Sequence, residues 1–202
     1  MMKLFPSYIF QKLMRAYGFI VYLCTTFLKH YMLHCFMKAH IRDMENKYIE
    51  DVVFGERLKI SMMADPKELN SNIRAARAIL SSFPEVSIVI NPHRLIFGHK
   101  NPEYLICNQL GDRKGIVGEK GVTAGFKSAK KQGCKIVVID LDEHILQVHS
   151  FELSKYISRR KADFVNELIT DCYVVFDGQA VRVNARYQTR REIESIIEML
   201  RP

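Results

Sequence analysis

A chain of 202 residues, 48% hydrophobic and 26% charged, can bury one sizeable core and still carry an extension. Its formal charge of +8 suits an anionic partner, but +5 of that lies in residues 1–43, where six Lys and Arg face only Asp43; the remainder is mildly basic, with 24 basic against 21 acidic side chains. Five cysteines (Cys24, Cys35, Cys107, Cys134, Cys172) without CxxC or Cys/His spacing exclude a disulfide framework and a zinc ligand set, and read as reduced thiols of a cytoplasmic protein.

Residues 1–43 differ from the rest, with nine of the 21 aromatics, five of the nine Met and one Gly. Ala16 to Leu28 is an apolar run of 13 residues behind Lys3, Lys12 and Arg15, the order of a signal-peptide n-region and h-region. A spanning helix needs about 20 apolar residues, so no stable membrane span is expected. Cys24-Thr25-Thr26 leads into Phe27 and Leu28 without a small-x-small cleavage site. The leader therefore reads either as a signal-like segment, with a secreted or membrane-associated product, or as sequence upstream of a true start at Met44. The domain is expected over 44–202.

From Met44 the elements follow in order. YIEDVVFGERL, Tyr48 to Leu58, alternates briefly and belongs at the domain edge. Asp65-Pro66 supplies a cap and a first-turn proline for a helix whose apolar stripe is Leu69, Ile73, Ala76, Ile79 and Leu80, with Arg74 and Arg77 off the stripe and Pro84 beyond its end. Val86 to Ile90 is a buried-type strand closed by Asn91-Pro92, and a basic connection with His93, Arg94, His99 and Lys100 follows. Glu103 to Cys107 is the next strand, Asn108-Gln109 a turn, and Leu110 to Val117 a third strand.

Period-two alternation puts Asp112 and Lys114 on one face of that third strand and Arg113 on the other. Val122 to Gln132 reads as a helix ended by Gly133, with Lys127, Lys130 and Lys131 spaced to share a face. Ile136 to Leu141 is a central strand, apolar nearly throughout, with Asp140 and Asp142 at its end. Phe151 to Leu168 reads as one charged amphipathic helix. Cys172–Phe176 and Ala180–Val183 form a hairpin through Asp177-Gly178, and Thr189 with Glu192 opens a terminal helix as a capping box. The whole is an α/β single domain with a central mixed β-sheet flanked by helices.

Glu103, Asp112 and Lys114 put two carboxylates and an ammonium near one point of this sheet. Cleavage of a phosphodiester uses such a group: carboxylates hold a divalent metal or act as bases, and Lys offsets charge on the phosphate. The same side chains also fit two ordinary strands with solvated charges. Lys127, Lys130 and Lys131, with Lys100, fit either a phosphate track or a solvated face, and Tyr104 either stacks on a base or joins the core. Asp140 is either a site residue or a strand terminator. His144, His149, Arg186 and Tyr187 carry no assignment. There is no P-loop, GxGxxG or GxSxG.

The runs KNPEYLI (100–106), GDRK (111–114), KKQG (130–133) and IVVIDLD (136–142) together resemble the C-terminal tRNA-nuclease domain of CdiA-type contact-dependent inhibition toxins, over about Glu50 to Val183. Related domains also occur free-standing and on phage-derived proteins. The resemblance implies a bacterial nuclease fold of toxin or mobile-element origin, a (t)RNA endonuclease activity and an immunity or inhibitor protein as partner. Pro102-Glu103 and Asp112-Arg113-Lys114 also resemble the two half-motifs of the PD-(D/E)xK nucleases, in the same helix, three-strand, helix, strand order, with Glu103 where Asp is usual. That match implies Mg²⁺ on Glu103 and Asp112, with Lys114 positioning or activating the attacking water. In the metal-free alternative of barnase-like toxin ribonucleases, His93, His99, Lys100 and Lys127 become the side chains of interest. The sequence thus leads to a hydrolase cleaving RNA, most specifically tRNA. A catalytically inactive nucleic-acid-binding module of a mobile element is the alternative.

Overall fold

The computed structural model describes residues 31–32, 44, 47–94, 100–118, 120–141, 150–187 and 189–200. The chain divides into two compact units, Met1–Asn46 and Lys47–Pro202. In the first, the described residues Tyr31, Met32 and Met44 are helical. The rest of the proposed leader, Cys24 and Cys35 included, lies outside the described residues, as do His99, Asp142, His144 and His149. No helix among the described residues is long and apolar enough to cross a membrane.

The second unit is built on one mixed sheet of eight strands, flanked by helices, the α/β arrangement that the sequence predicts. The strands are β1 (Tyr48–Asp51), β2 (Gly55–Ser61), β3 (Ile88–Ile90), β4 (Tyr104–Ile106), β5 (Gln109–Gly115), β6 (Ile136–Asp140), β7 (Asp171–Phe176) and β8 (Gln179–Asn184), and they stand in the sheet in chain order. The helices are α1 (Leu69–Ser82), α2 (Lys120–Gln132), α3 (Ser150–Ser158), α4 (Lys161–Val165) and α5 (Arg190–Glu198). β2–β3, β5–β6 and β6–β7 pair in parallel, and the remaining neighbours are antiparallel.

Each face of the sheet has its own core, as the two-residue period requires. Val137, Ile139, Cys172, Val174, Val181 and Val183 face α2, α3, α4 and α5, burying Phe126, Leu153, Ile157, Ile193 and Ile197. Ile136, Val138, Tyr173, Val175 and Ala180 face the other way, with Leu58, Ile88, Ile90 and Ile106, against α1. All five residues of β6 are buried, because both of its faces are covered. α1 touches β2 and β3 near one edge and β7 and β8 at the other, so the sheet curls around it.

YIEDVVFGERL lies at the sheet edge, as expected, and is the start of a β-hairpin: the turn at 52–54 is apolar, and Gly55, at φ +54°, starts β2. Several local expectations are corrected. Asp65 does not cap the helix. Its Oδ1 accepts from the Lys67 N–H (2.9 Å) in a turn that precedes α1, which begins at Leu69. Only 88–90 of the expected strand at 86–90 pairs. The turn between β4 and β5 centres on Cys107 and Asn108, both at positive φ (45° and 66°), not on Asn108-Gln109. The expected helix 151–168 is two, because the chain tightens at Arg159-Arg160 (Arg160 N–H to Ile157 O, 2.8 Å) and swings Phe164 edge-on against Phe126, centroids 5.6 Å apart. By contrast, the Asp177-Gly178 turn has both φ positive (46° and 71°), and the Thr189–Glu192 capping box is complete.

Candidate active site

The site lies where β3, β5 and β6 end and the antiparallel β4 begins. Ends of parallel strands gather loops at one edge, and ligands commonly bind there in open α/β sheets. Here the edge brings together Glu68 just before α1, Asn91 to His93 after β3, Glu103 before β4, Asp112 to Lys114 in β5 and Asp140 at the end of β6.

On the α2 face of β5, Asp112 is completely buried and Lys114 half-buried, its Nζ 3.4 Å from Asp112 Oδ2. Gln132, the last residue of α2, donates from Nε2 to Asp112 Oδ1 (2.9 Å). Asp112 Oδ2, within ion-pair range of Lys114, accepts no N–H hydrogen bond from the protein. Glu103 lies against Asp112, and its Oε2 accepts the backbone N–H of Arg113 (3.1 Å). Burial, then a hydrogen bond to Asp112 and repulsion from it, push the Glu103 carboxyl up to about 9, with Lys114 offsetting part of the rise. Two ionised carboxylates cannot hydrogen-bond to each other, so at neutral pH Glu103 keeps a proton and shares it with Asp112.

Gly125 lets α2 sit close to this face: a Cβ there would meet Ile139 Cδ1 at 3.3 Å and Lys114 Cγ at 3.4 Å. The donor set fits a hard divalent cation: two carboxylates in contact and sharing a proton are where a cation can replace that proton. No cluster of three or more His, Cys, Asp or Glu with metal-binding geometry occurs among the described residues. Protein oxygens from Glu103 and Asp112 would therefore leave most of the coordination shell to water and substrate, as suits Mg²⁺.

Arg113 points the other way, as alternation predicts, and enters a second network under α1. Its Nε donates to Asn72 Oδ1 (2.7 Å) and its Nη1 to Asp140 Oδ2 (2.8 Å), while Nη2 lies 3.7 Å from Glu68 Oε2. Arg74 Nη2 donates to the same Asp140 oxygen (3.0 Å). Asp140 is thus a buried anchor rather than a mere strand terminator.

A small cavity of about 60 Å³ adjoins Glu103, lined also by Asp65, Glu68, Asn72, Asn91, His93 and Asn101. His93 Nδ1 is 3.8 Å from Asp65 Oδ2. Motif reading singled out Glu103 and His93 but missed Glu68, Asn72 and Gln132, which reach the site only through tertiary packing.

The expected nucleic-acid contacts divide. Tyr104 does not stack on a base: it is fully buried and donates its hydroxyl to the Asn72 carbonyl (2.8 Å). Its neighbour Glu103 takes the opposite parity, against Asp112. Lys130 is tied to Asp163 (Nζ to Oδ1, 2.6 Å), which removes it from a shared track with Lys127 and Lys131, both exposed. Lys100 is exposed.

No family model matches the chain, and no curated protein does. Among solved structures, a chain of the CdiA-CT/CdiI toxin and immunity complex from Burkholderia pseudomallei is similar, with a TM-score of 0.41 and 17% identity over 61% of this chain and 91% of that one. The likeness is too distant to bear on chemistry.

Proposed function

We propose that the Glu103–Asp112–Lys114 cluster is the catalytic centre of a divalent-cation-dependent endonuclease acting on RNA, with tRNA the substrate that the family resemblance implies. One observation carries the reading. Glu103 and Asp112 are forced together inside the protein beside Lys114, and burial and the Asp112 neighbour push the Glu103 carboxyl up to about 9. Structural charges are paired where they are buried; here two carboxylates crowd beside one half-buried Lys114, and a cation would take the place of the proton between them.

Mg²⁺, when bound by Glu103 and Asp112, supplies positive charge that polarises the phosphoryl group and eases ionisation of water. The chain's own residues do the rest. Gln132 and the Arg113 N–H each hold one carboxylate oxygen, and Asp112 Oδ2 and the second Glu103 oxygen would ligate the cation. Lys114, beside Asp112 Oδ2, orients the attacking water and offsets charge as the phosphorus gains its fifth oxygen. Lys127, Lys131 and Lys100 are available to the phosphates of a long substrate.

His93 favours a second, metal-free reading, because it shares the Glu103 cavity with Asp65 beside it. There the imidazole would move the proton of the RNA 2′-hydroxyl.

The test is cleavage of total tRNA and of DNA by the full chain, with Mg²⁺ and with EDTA, alongside Asp112→Ala. Mg²⁺-dependent cutting of RNA lost in the variant supports the two-carboxylate centre. Cutting that survives EDTA and is lost in His93→Ala moves the assignment to His93. No cutting at all leaves a binding module.

A further inference from the structure

Neither Lys nor Arg lines the cavity beside Glu103, whereas Asp65 and Glu68 do, so a phosphate would be repelled from it. What it offers is hydrogen bonding. Its volume of about 60 Å³ holds a few water-sized groups rather than a whole nucleotide.

Two amides give it one donor and one acceptor, each fixed by the protein. Asn72, the one fully buried residue of the lining, is 3% exposed. Arg113 Nε donates to its Oδ1 at 2.7 Å, which orients the amide and leaves Nδ2 at the other end. Among the described residues Nδ2 has no hydrogen-bond partner. Tyr104 holds the same residue by its main chain, its hydroxyl donating to the Asn72 carbonyl (2.8 Å). Asn91 plays the complementary part: its Nδ2 donates to the Pro102 carbonyl (3.0 Å), so Oδ1 is the end left to accept. Asn101, by contrast, uses both ends on the Arg94 backbone (2.9 and 3.0 Å). A buried amide N–H that meets no protein acceptor is completed by water or by a ligand.

A donor and an acceptor together match a hydroxyl, which is both. In a nucleic acid chain the group of this kind that stands next to a phosphate is the ribose 2′-hydroxyl, on the carbon beside the one that bears the 3′-phosphate; the base is attached one carbon further away. Glu103 lines the cavity and also belongs to the carboxylate pair of the proposed centre, so one side chain joins the two places. We infer that this cavity is a ribose subsite, in which Asn72 Nδ2 and Asn91 Oδ1 receive the 2′-hydroxyl of the nucleotide whose phosphate lies at Glu103 and Asp112, and so select RNA over DNA. The inference rests on the nuclease reading for the place of that phosphate.

The test is binding of a fluorescently labelled single-stranded RNA, and of the DNA of the same sequence, to the full chain in EDTA, with cleavage of that RNA in Mg²⁺ as a separate readout. Asn72→Asp keeps an oxygen for Arg113 Nε but turns the donor into an acceptor. Asn91→Ala removes the acceptor and leaves the Arg113 network alone. The wild type is expected to hold RNA more tightly than DNA, and each substitution to lower that ratio several-fold through the RNA affinity. A ratio that stays at the wild-type value in either folded variant overturns the proposal, as does a wild type that binds RNA and DNA alike or binds neither, even where the RNA is cut in Mg²⁺. RNA cut in EDTA also overturns it, because the 2′-hydroxyl is then the attacking group at His93 and not a mark for recognition. A ratio that the substitutions lower, in a protein that cuts nothing, sustains the ribose subsite and removes the nuclease reading instead.

Discussion

The two faces of β5 bury charge in opposite ways. Under α1, Arg113, Asp140, Asn72 and Arg74 form a network in which the guanidinium meets an acid and an amide at 2.7–2.8 Å. Under α2, one residue away along the same strand, Asp112 and Glu103 crowd together with one half-buried Lys114 between two acids. The first arrangement closes its electrostatics within the protein and so fixes where α1 sits on the sheet. The second is the arrangement that the proposed cation would complete. Depth alone therefore does not separate structural from chemical charge; the balance of partners does.

The sharpest break of this comparison is Asp112→Ala, expected to lower RNA cleavage by about 10²–10⁴-fold while the metal-free protein unfolds at the same temperature or higher. Parallel cleavage and thermal-melt measurements check it; a large loss of stability would make Asp112 an ordinary structural acid. Asp140→Ala should do the reverse. It takes from the Arg113 guanidinium its buried acid, and breaking a buried ion pair costs about 3–5 kcal/mol, readable as a lower urea midpoint.

A third expectation sharpens the α2 face alone. In the folded chain Glu103 titrates near 9, against 4.5 for the ordinary group. The native state therefore holds a proton that the unfolded chain has released, and metal-free stability falls as pH rises between these two values. Glu103→Gln should flatten that fall in denaturation curves collected across the range, and Mg²⁺ should oppose it in the wild type. Smallest is Gly125→Ala: relief of a mid-helix glycine, about 0.5–1 kcal/mol, is offset by the push on Lys114 and Ile139. Stability should barely move while cleavage drops several-fold.

Much of this was legible before any coordinates. Strict alternation separates Asp112 and Lys114 from Arg113, and apolar β6 reads as central because both of its faces are covered. Turn chemistry found Asp177-Gly178, and capping chemistry found Thr189 with Glu192. The misses share a cause: each depended on what lies above or below the element. Tyr104 and Glu103 alternate, and only the α1 carbonyl at Asn72 decides which faces the core. Lys130 looks like its neighbours on the helix until Asp163 arrives from α4. Gln132 gives no local signal, since its role comes from a β5 carboxylate 20 residues earlier. The break at Arg159-Arg160 hides inside a charged pattern that stays amphipathic across it.

The order of strands in the sheet, identical to their order in the chain, has a bearing on how the molecule assembles. Each strand can add to the one made just before it, and none has to be threaded between two already paired, which keeps loop closures short for a sheet of this size. The helix inside the curl is the exception: α1 is synthesised early, yet Ser82 Oγ accepts the Ala180 N–H only after the final hairpin has formed. The last hairpin is thus the latch on α1.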